Sequence, residues 1–250
     1  MKKTGFILKR DFRELRQTNT FLVICIVFSV VTIAIAVVTS VILQKQEWIG
    51  QKEARPMLEL IVGLIAYFLP LAVLMVFIWA FSSLPVVKEK VNGNIASLIA
   101  TTLTPKEIWW GKSLAIFIPG YIISIISTMI VLLAVNLSVI VPANGIFLLP
   151  LPLILTSLIF NPLLLFGLLL FIILFSLAYN PDIAITPSFL VGFGLMMGIP
   201  LGMALGVIDL ASWSFSIWYL AGVIIVWIIV LSLARLLTKE KIILSAKGGQ

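Results

Sequence analysis

The sequence predicts an all-α integral membrane protein that forms a single transmembrane domain over residues 1–250. Hydrophobic residues make up 62% of the 250 positions, charged residues make up 11%, and the mean hydropathy is +1.22. Soluble domains carry about 25% charged residues. Because one transmembrane helix needs roughly 20 consecutive apolar residues, the chain has room for several spans and for little else.

Six apolar runs are long enough to cross a bilayer. The predicted transmembrane helices are residues 21–43, 57–84, 113–140, 148–178, 188–207 and 215–237. The fourth run is longer than one untilted helix requires, and Asn161-Pro162 interrupts it. Asn at an N-cap followed by Pro is a helix-start signal. We therefore expect either a kinked fourth helix or a re-entrant segment before it.

The basic residues are distributed asymmetrically between the connections. Six of the 17 Lys and Arg residues precede the first span, four lie between the second and third spans, and four lie at or beyond the end of the sixth. Only Lys45, Lys52 and Arg55 fall on the opposite side. The positive-inside rule therefore predicts a multi-pass protein of the cell membrane with both termini in the cytoplasm.

Residues 1–18 differ in composition from the spans. Leu8, Phe12 and Leu15 recur at i, i+4 and i+7. The basic residues on the other side of the same helix are Lys9, Arg10, Arg13 and Arg16. This pattern predicts a basic amphipathic helix that lies on the inner leaflet, and the alternative is a basic tail that only directs topology.

A charged segment, residues 86–113, separates the second and third spans. A short amphipathic helix is predicted there, with its apolar stripe at Ile95, Leu98, Ile99 and Leu103. The sequence Thr104-Pro105-Lys106-Glu107 is a capping box with Pro at the first helical position, so a second helix is expected to begin at once. The amphipathic piece has two possible partners, the lipid surface or another protein, and the plainest alternative is a solvated connector.

The tripeptide Gly111-Lys112-Ser113 resembles the end of a phosphate-binding P-loop. The first glycine of that motif would fall at position 106, which is a lysine, and the surroundings predict a helix start rather than a strand and loop. ATP binding through this motif is therefore excluded. We expect Lys112 to extend toward the membrane interface beside Trp109 and Trp110.

Charged residues are not expected at mid-depth in the membrane. Glu59 and Asp209 fall near the outer ends of the second and fifth spans, and the chain contains no histidine. Secondary transporters use intramembrane ionisable residues to carry protons or bind ions. A proton-driven carrier is therefore disfavoured, whereas sodium sites built from backbone carbonyls stay open.

The fifth predicted span carries four glycines at intervals of four residues, namely Gly194, Gly198, Gly202 and Gly206. Small residues on one face let two transmembrane helices approach closely. The glycines are therefore candidates for helix packing, either within the chain or at a dimer interface.

The loop between the second and third spans resembles that of ABC type-2 permeases, the membrane subunits of ATP-binding-cassette transporters. The resemblance rests on the series Glu89, Gly93, Ile95, Leu98, Pro105, Glu107, Gly111 and Lys112. It implies that the loop is a coupling helix that docks into a cytoplasmic ABC ATPase. The implied docking residues are Glu89, Gly93, Ile95, Leu98, Ile99, Leu103, Pro105 and Glu107.

The same resemblance implies the rest of the assembly. Two copies of the ATPase would bind ATP and Mg²⁺ and hydrolyse the nucleotide, so this chain itself would be neither an enzyme nor a cofactor-binding protein. A second permease protomer, in a homodimer or a heterodimer, would complete an exporter within membrane lipid, and no nucleic acid would take part. The alternatives are a subunit that passes ATP-driven motion to an extracytoplasmic partner, or an ATP-independent carrier or scaffold.

Overall fold

The structure is a computed structural model, and it describes residues 2–51, 55–82, 103–179 and 182–247. These residues form helices and no strand, and six of the helices are long and apolar enough to cross a membrane. The prediction of an all-α multi-pass membrane protein is therefore confirmed. The helices, numbered in chain order, are α1 Lys2–Arg16, α2 Asn19–Gln44, α3 Arg55–Phe81, α4 Pro105–Asn144, α5 Leu151–Ala178, α6 Asp182–Ala204, α7 Trp213–Leu233 and α8 Lys239–Lys247.

Helices α3 and α5 form the centre of the bundle. In each of them 67% of the most apolar window is buried, whereas the corresponding share is 17% in α2, 11% in α6 and 22% in α7. The outer faces of these three peripheral helices carry large exposed apolar side chains. Such faces are stable in hydrocarbon and costly in water, so the distribution of burial is that of a bundle surrounded by lipid.

The two short helices α1 and α8 lie at the same end of the bundle, which we call the terminal end. Lys112 near the start of α4 bonds to Asp11 of α1, and Ser245 of α8 donates to the carbonyl of Leu177 near the end of α5. An even number of spans requires this arrangement. The assignment of the terminal end to the cytoplasm stays a prediction from the positive-inside rule.

Helices α4 and α5 each contain one π-helical turn just before a proline. The turns are Asn136–Ile140, which precedes Pro142, and Thr156–Phe160, which precedes Pro162. Because proline has no N–H, the carbonyl four residues earlier loses its helical donor. Each of these carbonyls instead accepts from a side chain of another residue in the bundle: Gln44 Nε2 donates to Ser138 O at 3.1 Å, and Tyr121 Oη donates to Leu158 O at 2.9 Å.

The fourth span is consequently one continuous helix from Leu151 to Ala178, with an irregular turn and no re-entrant segment. Our interpretation of Asn161 as an N-cap was wrong. Phe160 and Asn161 both have right-handed helical backbone angles, and no side chain caps that position. The tyrosine hydroxyl that satisfies the carbonyl of Leu158 removes the need for a helix break there.

Helices α4 and α6 differ most from the predicted spans. Helix α4 begins at Pro105 rather than at residue 113, because the capping box starts a helix that runs into the span without interruption. Helix α6 begins at Asp182 and ends at Ala204, before the predicted end at residue 207. Gly206 has φ of 70° in the turn that follows, a left-handed conformation that glycine adopts without strain.

Candidate docking and coupling site

The site begins at the N-terminal cap of α4. Thr104 Oγ1 accepts from the backbone N–H of Glu107 at 3.3 Å, and Glu107 Oε2 accepts from the backbone N–H of Thr104 at 2.8 Å. Pro105 occupies the first turn, where a missing N–H has no cost. The predicted capping box is confirmed. It fixes the direction in which the chain enters α4.

The predicted docking residues fall on both sides of this cap. Those that lie outside the described residues are Glu89, Gly93, Ile95, Leu98 and Ile99. The remaining three, Leu103, Pro105 and Glu107, lie at the start of α4, where Leu103 is half-buried and packs against the core. The structure therefore places only the α4 side of the predicted docking site, and the docking role itself stays a prediction.

Helix α1 packs closely on the first turns of α4. A Cβ atom at Gly111 would lie 2.8 Å from Cβ and Cγ2 of Ile7, so only glycine allows this approach. Ile7 and Leu15 are buried. Of the predicted apolar face, Leu15 is buried, Leu8 is half-buried and Phe12 is exposed, and the placement of this helix on the inner leaflet stays a prediction.

The face of α1 that packs on α4 contains an acidic residue, and this residue pairs with a lysine of α4. Lys112 Nζ lies 3.1 Å from Asp11 Oδ2, and the two side chains are only 3% and 13% exposed. Arg10 also contacts the same carboxylate, with its Nη2 atom 2.8 Å from Oδ1. Our expectation that Lys112 extends to the interface was wrong, since α4 starts early enough to place Lys112 beneath α1.

The tryptophans next to Lys112 connect α4 to the core. Trp109 is 1% exposed, and its Nε1 donates to the carbonyl of Leu170 in α5 at 2.8 Å. The Trp110 ring meets the rings of Phe166 in α5 and Trp227 in α7, with centroids 5.8 and 6.3 Å apart. We expected an interfacial pair, and Trp109 is instead an internal residue. The start of α4 is therefore attached to α1, α5 and α7.

A buried polar cluster joins α3, α5 and α7 farther along the bundle. Tyr219 Oη donates to Asn161 Oδ1 at 3.0 Å, and Asn161 Nδ2 donates to the carbonyl of Tyr67 at 3.4 Å. One turn earlier in α5, the hydroxyls of Thr156 and Ser216 lie 2.8 Å apart. Our sequence analysis did not predict this cluster. The sequence does contain a signal for the cluster, namely polar residues within apolar runs. Transmembrane bundles bury such polar residues against one another.

The four glycines of the ladder do not share one environment. A Cβ at Gly194 or Gly198 would meet no atom within 4 Å, and both lie on the exposed apolar face of α6. A Cβ at Gly202 would lie 2.8 Å from Ile208 Cγ1 of the same chain, and Gly206 is outside the helix. Thus Gly194 and Gly198 are the two ladder glycines within α6 that are open to a partner.

A glycine outside the ladder has a clearer packing role. A Cβ at Gly192 would overlap the side chain of Met75 and would lie 3.1 Å from Trp79 Cζ2. Next to it, the rings of Trp79 and Phe189 stack with centroids 4.1 Å apart. Gly192 therefore allows α6 to pack on α3, and we did not single it out from the sequence because it lies off the four-residue interval.

The acidic residues near the opposite end have local partners. Glu59 Oε1 lies 2.9 Å from Arg55 Nε within the first turn of α3, and Asp209 accepts from the backbone N–H of Ala211 at 2.9 Å. Both carboxylates therefore form local contacts near helix ends, where such contacts are common.

No protein-family model, curated protein or solved structure matches this chain. The family resemblance consequently rests on the loop residues and on the arrangement of spans.

Proposed function

We propose that this chain is the transmembrane permease subunit of an ABC transporter, and that it acts as an exporter powered by a separate ATPase. The ATPase would dock on residues 86–104 at the terminal end, which would face the cytoplasm. ATP-driven closure of two ATPase subunits would push on this segment and move the bundle between inward-open and outward-open states.

The observation that carries the proposal is the continuous helix that runs from the cap at Thr104, the last residue of the docking segment, across the third span. The cap at Thr104 begins a helix that continues to Asn144 without a break, so a displacement of the cap reaches the far side of the span. From Leu103 onward, where the structure describes this connection, no loop separates the cap from the span.

The same region distributes a push to other helices. Gly111 and Lys112 attach α4 to α1, and Trp109 attaches it to α5. A movement of the first turns of α4 would therefore carry α1 and α5 with it. This is what a transmission element requires, since sites are coupled through packed elements that move together.

The exposed surface of α1 supports contact with the inner leaflet. One face of α1 packs on α4. The outer face of α1 presents Phe12 and the basic residues Lys9, Arg13 and Arg16. Basic residues attract anionic headgroups at a membrane surface, and an aromatic ring favours the interface. Helix α1 would thus be held between α4 and the headgroups.

A second protomer would bind the exposed face of α6. This span is the least buried of the six described candidates, and Gly194 and Gly198 leave its backbone open on that face. Van der Waals contact between closely approaching helices drives association in lipid. The path between protomers would be mainly apolar, which favours a lipophilic substrate.

Affinity purification of the tagged chain from its native membranes tests the proposal. An ABC ATPase should copurify in a one-to-one ratio with the chain, and its ATP hydrolysis should depend on the membrane subunit. Copurification of an extracytoplasmic protein together with the ATPase, without any transported compound, would favour the motion-transmitting alternative. Purification of the chain without an ATPase would contradict the proposal and favour a carrier or scaffold.

A further inference from the structure

Residues 141–155 form a hairpin between the two π-helical turns, at the end of the bundle opposite the terminal end. The hairpin consists of the last turn of α4, Val141–Asn144, a connection that begins at Gly145, and the first turn of α5, Leu151–Leu155. Gly145 has φ of 70°, a left-handed conformation that glycine adopts without strain. We call residues 141–155 the end hairpin.

The chain on each side of the end hairpin has the features of a hinge. Regular α-helical bonding is interrupted at Asn136–Ile140 and again at Thr156–Phe160, and a proline lies two residues beyond each turn. Helices bend sharply at prolines and at π-helical turns, and a few residues at the end of an element can absorb the change in backbone angles. The end hairpin is therefore joined to the rest of α4 and α5 at two points where bending is easiest.

A polar contact from α7 holds the α5 side of the end hairpin. The hydroxyl of Ser216 donates to the carbonyl of Pro152 at 3.1 Å and lies 2.8 Å from the hydroxyl of Thr156. A serine inside a helix commonly bonds to the carbonyl four residues earlier, and here that contact, to Ser212, is longer at 3.4 Å. Ser216 therefore bonds across to the end hairpin more closely than to its own helix.

A second polar contact holds the connection within the end hairpin. Asn136 is fully buried, and its Oδ1 accepts from the backbone N–H of Leu148 at 2.8 Å. Leu148 lies outside the helices, so this side chain supplies the partner that a buried N–H group requires. Asn136 Nδ2 donates to the carbonyl of Leu132 at 3.0 Å, which fixes the orientation of the amide. Both contacts can break without separating the central helices α3 and α5.

The end hairpin covers the buried polar cluster that joins α3, α5 and α7. Its turn Leu151–Leu155 contacts both α3 and α7, and Leu148 and Leu153 are buried in the core. Asn161, at the centre of the cluster, lies about 8 Å beyond Thr156 along α5. Polar side chains inside a membrane bundle are costly and often mark the path of a substrate or an ion. The end hairpin therefore separates such a group of side chains from the surface.

We propose that the end hairpin is a hinged lid over this polar cluster. It opens as a unit about the two π-helical turns, and the contacts of Ser216 and Asn136 hold it closed. Opening leaves the packing of α3 on α5 intact and gives the solution at this end of the bundle access to the hydroxyls of Thr156 and Ser216. The lid is a property of this chain alone, so its test does not depend on the ATPase proposed above.

Hydrogen exchange by mass spectrometry on the chain in nanodiscs tests the lid. Ser216→Ala removes one of the two holding contacts, so peptides within residues 145–155 should exchange about tenfold faster, while the rest of α4 and α5 keeps its protection. Ser113→Ala is the matched control, because this buried serine bonds to the carbonyl of Trp109 in its own helix. Equal exchange of residues 145–155 in both variants, or faster exchange throughout α4 and α5, would overturn the proposal.

A reversible crosslink covers the case in which Ser216→Ala alters folding. Thr156→Cys with Ser216→Cys, in a chain that also carries Cys25→Ala, places two thiols where hydroxyl oxygens lie 2.8 Å apart. Oxidation to the disulfide should slow exchange of residues 145–155 at least about tenfold, and reduction should restore it, while exchange of α1 stays the same in both states. Equal exchange of residues 145–155 in the oxidised and reduced protein would show that the end hairpin does not open and would refute the lid.

Discussion

The attachment of α1 to α4 can be tested by removing one charge from a buried ion pair. Asp11→Asn keeps the shape of the side chain but leaves the ammonium group of Lys112 facing a neutral amide. Removing one partner of a buried ion pair costs about 3 to 5 kcal/mol, because the remaining charge stays desolvated. We take the lower end of that range, about 3 kcal/mol, because an amide oxygen can still accept a hydrogen bond from the lysine.

This cost should appear as local opening of α1. Since every 1.4 kcal/mol is tenfold in an equilibrium constant, about 3 kcal/mol lowers the ratio of docked to undocked α1 by about 100-fold. The measurement is hydrogen exchange by mass spectrometry on peptides within residues 2–16. Exchange there should become about 100-fold faster, whereas peptides from α5 should keep their protection, because α1 opens without the core.

The matched control is Glu14→Gln on the same helix. Glu14 is 64% exposed and lies 3.8 Å from Arg10, so its ion pair is worth at most about 0.5 kcal/mol. Hydrogen exchange within α1 of the Glu14→Gln variant should therefore resemble that of the wild type. The reasoning would be refuted if Asp11→Asn and Glu14→Gln gave the same exchange in α1, because buried and exposed carboxylates would then contribute equally.

Three further changes test other contacts. Gly192→Leu should lower the stability of the bundle by about 1 to 3 kcal/mol through overpacking against α3, whereas Gly222→Leu, which has no atom within 4 Å, should be near neutral in detergent melts. Tyr219→Phe should cost about 1 kcal/mol in the same melts, and no loss would contradict its hydrogen bond. The double variant Gly194→Leu with Gly198→Leu should abolish cysteine crosslinks between protomers, and retained crosslinks would place the interface elsewhere.

The spans and the helix start at Thr104 could be predicted because both are local features of the sequence. A span needs only a run of apolar residues, and a capping box needs only Thr104 and Glu107 within one turn. Neither depends on which other part of the chain lies nearby. The predicted start of the third span was wrong because the cap of α4 begins the helix before the apolar run.

The partners of polar residues could not be predicted in the same way. Lys112 meets Asp11 across most of the first half of the chain, and no local pattern indicates that pairing. The pair Asn161-Pro162 predicts a helix start, yet the hydroxyl of Tyr121 makes a continuous helix possible. A proline thus need not end a transmembrane helix when a distant side chain satisfies the freed carbonyl.

Facing surfaces were equally hard to infer, because in a membrane both the interior and the exterior of the bundle are apolar. Gly192 and Gly194 lie two positions apart, and one meets Met75 while the other is open. An interval of four residues describes one side of a helix but not what covers it. The packed face of α1 was missed for a related reason, since its central residue is Asp11.

The proposed coupling function is tested most directly by placing charge on the predicted apolar stripe of the docking segment. Leu98→Asp with Ile99→Asp removes two apolar anchors, each worth about 1.5 to 3 kcal/mol if buried in a protein groove, so affinity for the ATPase should fall at least about 100-fold. Ser97→Asp with Thr101→Asp adds the same charge on the polar side of the stripe and serves as the control.

The measurement is pull-down of the ATPase and its hydrolysis rate in nanodiscs with the wild-type chain and with each double variant. We predict that the Leu98 and Ile99 variant inserts normally but loses both ATPase binding and dependent hydrolysis, while the Ser97 and Thr101 variant keeps both. Retained binding and hydrolysis in the Leu98 and Ile99 variant would contradict the coupling role and leave residues 86–104 as a solvated connector.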